Sequence, residues 1–325
     1  MSALSSSGVA KRLFGVGLGA ALCVAAATAG AAQMQRLHIG TAHRALFDVT
    51  FDGEAAYAVG AGGRVMRSAD AGATWAFEPT DTKLALLAIA VRDGQGVAVG
   101  QMGITARRDA DGQWVSAPSG SEQRLMGVDL DAASVAVAVG SFGAIVRSED
   151  AGKSWQPVKV DWSTLVDGGF EPHLYAVQAL GGGRFLAVGE SGLILRSDDE
   201  GASWSRVRQG EASLFALDVR GDGLGFAVGQ SGTVLRTADG GASWDKLDVP
   251  TDANLLGVSV TADGLVVVPG MREMLVSEDN GGNWEQVRAG DVARVWYLAA
   301  GRAPGDGGVI VVGQAERIAR IGSNR

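Results

Sequence analysis

Six arginines recur at one position of a repeated pattern: Arg67, Arg107, Arg147, Arg196, Arg236 and Arg320. A guanidinium is a planar fork of donors matched to carboxylates, so such a series can do one of two things. The stems can lie between packed elements with the heads tied to turn carbonyls or a neighbouring carboxylate, because a buried unpaired charge is costly. Alternatively, the tips can form an exposed patch that presents donors to an acidic partner. A second cluster of contact chemistry lies in "VDWSTLVDGGFEPH", which holds Trp162, Phe170 and His173. Loop aromatics on a rigid scaffold are frequent contact residues, although the same segment could fold back on its own domain. Other chemistry has little material. His38, His43 and His173 show no metal-ligand spacing. Glycine-rich stretches such as "GAGGR" open no helix, as a phosphate-binding loop must.

The elements that position these residues are repeats. Trp75, Trp114, Trp155, Trp204, Trp244 and Trp284 are 39, 41, 49, 40 and 40 residues apart. An independent series begins "LFDV" at 46, "LLAI" at 86, "LMGV" at 125, "LYAV" at 174, "LFAL" at 214, "LLGV" at 255 and "VWYL" at 295, which makes seven units. Each unit adds a second apolar run ending near glycine and a third of the "AIVRS" type. A tight polar turn and a last strand beginning at the tryptophan follow. Four short strands repeated radially are a β-propeller blade, so the expected fold is all-β with seven four-stranded blades. In "GSFGAIVRSEDAGKSW", Gly140 and Gly143 are expected to flank a hairpin turn. Asp150 and, more weakly, Ser148 should accept turn amides, with Gly152 at positive φ. The seventh unit ends at "RIARIGSNR" without a tryptophan strand, so Arg36 to Ile39 should supply its outer strand and close the ring. The six periodic tryptophans are expected between blades. Trp296 is expected in the core too, in register with Phe47, Leu87, Met126, Tyr175, Phe215 and Leu256.

The turn S-x-D-x-G-x-[ST]-W is the Asp-box, or BNR, repeat. The longer unit, matched at residues 60–75, 140–155, 189–204 and 229–244, resembles the photosystem II stability and assembly factor family of exported seven-bladed propellers. Blade two departs with "RRDADGQW", one residue short. Blade six departs further, with Pro269 and Arg272 in the glycine positions and Val276 in place of the arginine. The resemblance implies an arginine patch that holds a membrane-protein client during assembly. Asp-boxes also occur in sialidases, which need an arginine trio, a tyrosine nucleophile with its glutamate, and an acid. Here Tyr57, Tyr175 and Tyr297 lie in repeated strands, and only Glu171 and Glu190 could face a rim near Tyr175. A sialidase-like glycosidase is therefore the rival reading, and a small-ligand binder using the central channel is a third.

The remaining constraints come from the whole chain. Residues 1–32 read as a secretory signal peptide: Lys11 and Arg12, an apolar run to about Ala29, and small residues before cleavage at Ala31 or Ala32. The mature chain, residues 33–325, then has no cysteine, since Cys23 lies in the leader. It carries 26 basic against 36 acidic residues, for a formal charge of −10. An acidic domain without a Lys/Arg run is a poor match for nucleic acid and offers no polybasic membrane segment. The expectation is a periplasmic, monomeric, non-catalytic scaffold or assembly factor for a membrane or envelope protein complex. It should need no cofactor, no metal and no membrane insertion after cleavage.

Overall fold

The computed structural model describes residues 32–109, 111–305 and 307–323. The expected leader therefore lies outside the described residues, Ala32 excepted. The described residues cluster as one unit. Seven four-stranded antiparallel sheets follow one another along the chain, each ordered from an inner to an outer strand. Blade one is Leu46–Asp52, Ala55–Gly60, Arg64–Ser68 and Ala76–Glu78. Blade seven joins Tyr297–Arg302, Val309–Gly313 and Arg317–Gly322 to the outer strand Gln33–His38. The closing ladder runs from Gln33 opposite Gly322 to Arg36 opposite Ala319, with a bulge before His38. It thus begins three residues earlier than the hydropathy pattern suggested.

The second strand of every blade is buried on both faces, as "AVAVG" is at Ala136–Gly140. The apolar clusters lie between blades. One joins Leu46, Val49 and Met66 of blade one to Ile310, Val312 and Ile318 of blade seven, with Trp75 packed against it. Trp155, Trp204, Trp244 and Trp284 pack against the equivalent clusters, and Trp114 is fully inside its own. Each tryptophan fills one interblade gap, which explains its once-per-blade recurrence.

The Asp-box turn is built as its residues require. Asp150 accepts the Ser154 amide at 2.9 Å and the Ser154 hydroxyl at 2.6 Å, while Ser148 Oγ accepts the Gly152 amide at 2.8 Å. Gly152 has φ +82°, and a Cβ there would meet Val97 at 2.4 Å. Hydrogen bonds of this kind hold the carboxyls of Asp70, Asp239 and Asp279 down at about 2.

Three expectations need correction. The hairpin between the second and third strands of blade three is centred on Phe142 and Gly143, both at positive φ, as a type I′ turn demands. Gly140 is needed instead because a Cβ would strike the Arg124 carbonyl at 2.1 Å. In blade six that glycine position is kept by Gly270, paired with Leu255, and not replaced by Pro269; the hairpin is simply one residue shorter. In blade seven Tyr297 pairs with Gly313 as Leu46 does with Gly60, so Leu298, not Trp296, is equivalent to Phe47. Trp296 sits before the strand, half-buried, in an isolated bridge to Met271.

Candidate functional site

The repeating arginines are not one homogeneous ring. Arg147 donates from Nε to the Glu200 carbonyl at 2.6 Å and pairs with the carboxylates of Glu200 and Glu149. Arg320 donates to the Ala71 carbonyl at 2.8 Å. Ala71 and Glu200 occupy the same Asp-box position, each left-handed, and their amides donate to the inner hairpins of their own blades at Glu54 and Gly183. In blades three and seven the arginine therefore ties down the turn of the next blade. Two departures from the repeat lie where the next blade has no ordinary turn to reach. Blade two has the short turn, and Arg67 of blade one turns to Tyr57 and Glu78 instead. Blade seven has no tight turn between third and outer strands, since the outer strand comes from residues 33–38. Blade six, the one that would reach it, carries the buried Val276. Arg196 pairs with Asp198 on its own turn, and Arg107 donates, among the described residues, to the Arg108 carbonyl. Arg236 has no hydrogen bond or ion pair with the described residues.

The 160–173 segment lies at the opposite rim, against the Phe142–Gly143 hairpin. The Gly143 amide donates to the Pro172 carbonyl at 2.7 Å and the Phe142 amide to His173 Nδ1 at 3.1 Å. Asp161 caps the short helix Trp162–Leu165. Trp162 is only 7% exposed and packs with Val139, Ile145 and Leu174. It anchors the segment and presents no contact surface. Phe170, at 40% exposure, does face solvent, and His173 stacks edge-on with Phe142 at 4.7 Å. Phe142 at 58% and Met102 at 73% crown two neighbouring hairpins on this rim. The structure thus brings Phe170, His173 and Phe142 to one rim and leaves the arginines at the other.

At the axis, seven half-buried side chains ring the mouth of the channel on this same rim: Phe47, Leu87, Met126, Tyr175, Phe215, Leu256 and Leu298. They are a collar lining the channel, not core. His173, Tyr175 and Phe215 continue the aromatic contacts inward at 6.4 and 5.1 Å. Beneath the collar come Asp48, Ala88, Gly127, Ala176, Ala216, Gly257 and Ala299. Three inner-strand carboxylates, absent from the residues expected from sequence, also bridge blades. Asp48 accepts the Ile89 amide of the next blade at 2.9 Å, Asp129 the Ala179 amide at 2.8 Å and Asp218 the Val260 amide at 2.8 Å. Recurrence of Asp at an otherwise apolar inner strand was the available signal. Burial raises Asp48 to about 7 and Asp129 to about 6, against the pull of those amides.

Sialidase-type chemistry finds no constellation around Tyr175. Burial, and then the Glu190 charge, push its hydroxyl up, away from nucleophilic use. No arginine lines the cavity it faces, and Glu190 is engaged by the His173 amide at 2.8 Å. Among the described residues, no group of three or more His, Cys, Asp or Glu is placed to hold a metal ion.

The fold recurs widely. A solved YCF48 bound to D1 peptide superposes with a TM-score of 0.68 at 18% identity, covering 91% of this chain and 96% of that one. YCF48 from Cyanidioschyzon merolae gives 0.69 at 17%, covering 89% and 98%. The GH74 xyloglucanase from Xanthomonas campestris gives 0.68 at 16%, covering 89% of this chain and 53% of that one, so the same architecture also carries enzymes. No curated protein matches the sequence. The model of the family described as photosynthesis system II assembly factor YCF48 matches residues 106–214 and 209–292, more than half of the chain. With seven blades, Asp-box turns and interblade arginines in place, this chain belongs to that family.

Proposed function

We propose that the mature chain is an exported, non-catalytic scaffold that holds a polypeptide segment of a membrane or envelope protein complex. The observation that carries this reading is membership of a family with a solved member that holds a D1 peptide. Residues 1–32 act as a cleaved signal peptide, and the propeller works as a monomer in the periplasm. The client docks on the rim of the 160–173 segment. Met102, Phe142 and Phe170 expose large apolar side chains there, and such anchors dominate contact energies. Arg196 and Arg236, free of interblade duty, form the competing surface at the Asp-box rim.

The test is affinity capture from detergent-solubilised native envelope, followed by mass spectrometry. One dominant client is expected, lost in a Phe142→Ser/Phe170→Ser variant and kept in Arg196→Ala/Arg236→Ala. The opposite pattern moves the site to the arginines. Turnover of sialosides or aryl glycosides that disappears in Glu190→Gln would replace the scaffold with a glycosidase.

A further inference from the structure

The collared mouth of the central channel is a cavity of about 170 Å³. This is below the roughly 300–1,000 Å³ of pockets that take whole small ligands, and it suits a single side chain. Its wall is chemically graded. The collar is apolar and partly aromatic, with Tyr175 and Phe215 in edge-to-face contact at 5.1 Å. The next ring is stripped to alanine and glycine except at Asp48. No Lys, Arg or His lines the cavity, so its charged lining is the Asp48 carboxylate. That carboxylate accepts two backbone amides, from Val49 at 2.8 Å and Ile89 at 2.9 Å, and has no ion pair with the described residues. An ionised carboxylate has about four lone-pair sites, which leaves capacity for a further donor.

We infer that this mouth receives the lysine side chain of a polypeptide partner, its methylene stem against the collar and its ammonium on Asp48. Three requirements converge on that occupant. The stem is apolar and slim enough for a shaft walled by alanine and glycine. Aromatic faces at the mouth attract a cation on its way in. The half-buried carboxylate has no ion pair with the described residues, and a cation supplies one. An acidic side chain would be repelled, and a purely aliphatic one would leave Asp48 uncompensated. The inference rests on the scaffold reading for its choice of a polypeptide over a free amine.

The experiment uses the mature protein labelled with ¹³C at the methionine methyls. Met126 lies in the collar, and Met66 and Met274 are core controls. The probes are N-acetyl-lysinamide, its apolar isostere N-acetyl-norleucinamide, n-butylamine, and a Gly-Ser-Lys-Ser-Gly peptide. Lysinamide should shift Met126 saturably, at least tenfold more tightly than norleucinamide, with Met66 and Met274 still. Asp48→Asn should abolish that preference and keep the core signals. Equal binding of lysinamide and norleucinamide in the unmodified protein, or a silent Met126, overturns the inference even if Asp48→Asn does not fold. Butylamine binding as tightly as the pentapeptide would assign the mouth to a free amine and overturn the polypeptide occupant. Client capture, measured separately, can persist through either failure, so the scaffold reading stands or falls on its own.

Discussion

Replacing Arg147 with alanine separates an interblade strut from a solvent-facing patch. The guanidinium is 16% exposed. Its shortest neutral contact is the 2.6 Å bond to the Glu200 carbonyl in the next blade. A hydrogen bond from a charged donor contributes about 1.5–3 kcal/mol. Glu149 is exposed and the Glu200 side chain about half so, and each ion pair is taken to add about 0–1 kcal/mol. Arg147→Ala should therefore cost about 2–3 kcal/mol. Arg196 is the internal control, since its partner Asp198 is on its own turn and exposed; Arg196→Ala should cost about 0–1 kcal/mol. Arg236→Ala, with no partner to lose among the described residues, should fall within about 0.5 kcal/mol of the parent. Urea unfolding followed by tryptophan fluorescence reads all three. With a slope of about 3 kcal/mol per molar, the Arg147 variant's midpoint should drop by about 0.7–1 M. An Arg147→Ala midpoint equal to the parent's, or an Arg196→Ala loss as large as that of Arg147→Ala, would refute the strut geometry.

Deleting residues 33–40 removes the outer strand of blade seven together with Met34 and Leu37, which pack on the flanking clusters. The unfolding midpoint should fall sharply, and an unchanged midpoint would mean the ring does not need its closing strand. Asp48, raised from 3.8 to about 7, stays protonated in the folded chain at pH values where the unfolded chain has lost the proton. Its contribution is therefore full below about pH 4 and is lost as pH rises to about 7, by at most about 4 kcal/mol at 1.36 kcal/mol per unit. Asp48→Asn should flatten that decline in a pH series of urea midpoints; an unaltered slope would show that Asp48 is not the group responsible. Gly143→Ala would place a Cβ 2.3 Å from Trp162 Nε1 at φ +67°, at a cost of about 1–3 kcal/mol. Loss of the 160–173 segment's amide protection in hydrogen exchange should accompany it, and retained protection would count against that packing.

Blade number, strand roles, the Asp-box turns and ring closure were legible in the residues because each depends on local pattern. Period-two burial, a glycine at positive φ and an Asp–Ser turn are all decided within a few neighbours. The missing outer strand of blade seven was equally visible as an unpaired edge. What the tertiary structure decided lies between blades. The collar turned on register: Trp296 fits the repeat by spacing, yet the pairing of Tyr297 with Gly313 puts Leu298 at the channel. Arg147 and Arg196 occupy identical positions in nearly identical repeats, and only the reach to the next turn makes one a strut. Trp162 is a loop aromatic by sequence, and only the fold brings the Gly143 hairpin over it. Asp48, which meets its amide partner across 41 residues of sequence, gave no sign of its place at the channel. Repeats define their own blades through short-range periodicity. The spacing and tilt of one blade against the next come from packing that no single repeat contains.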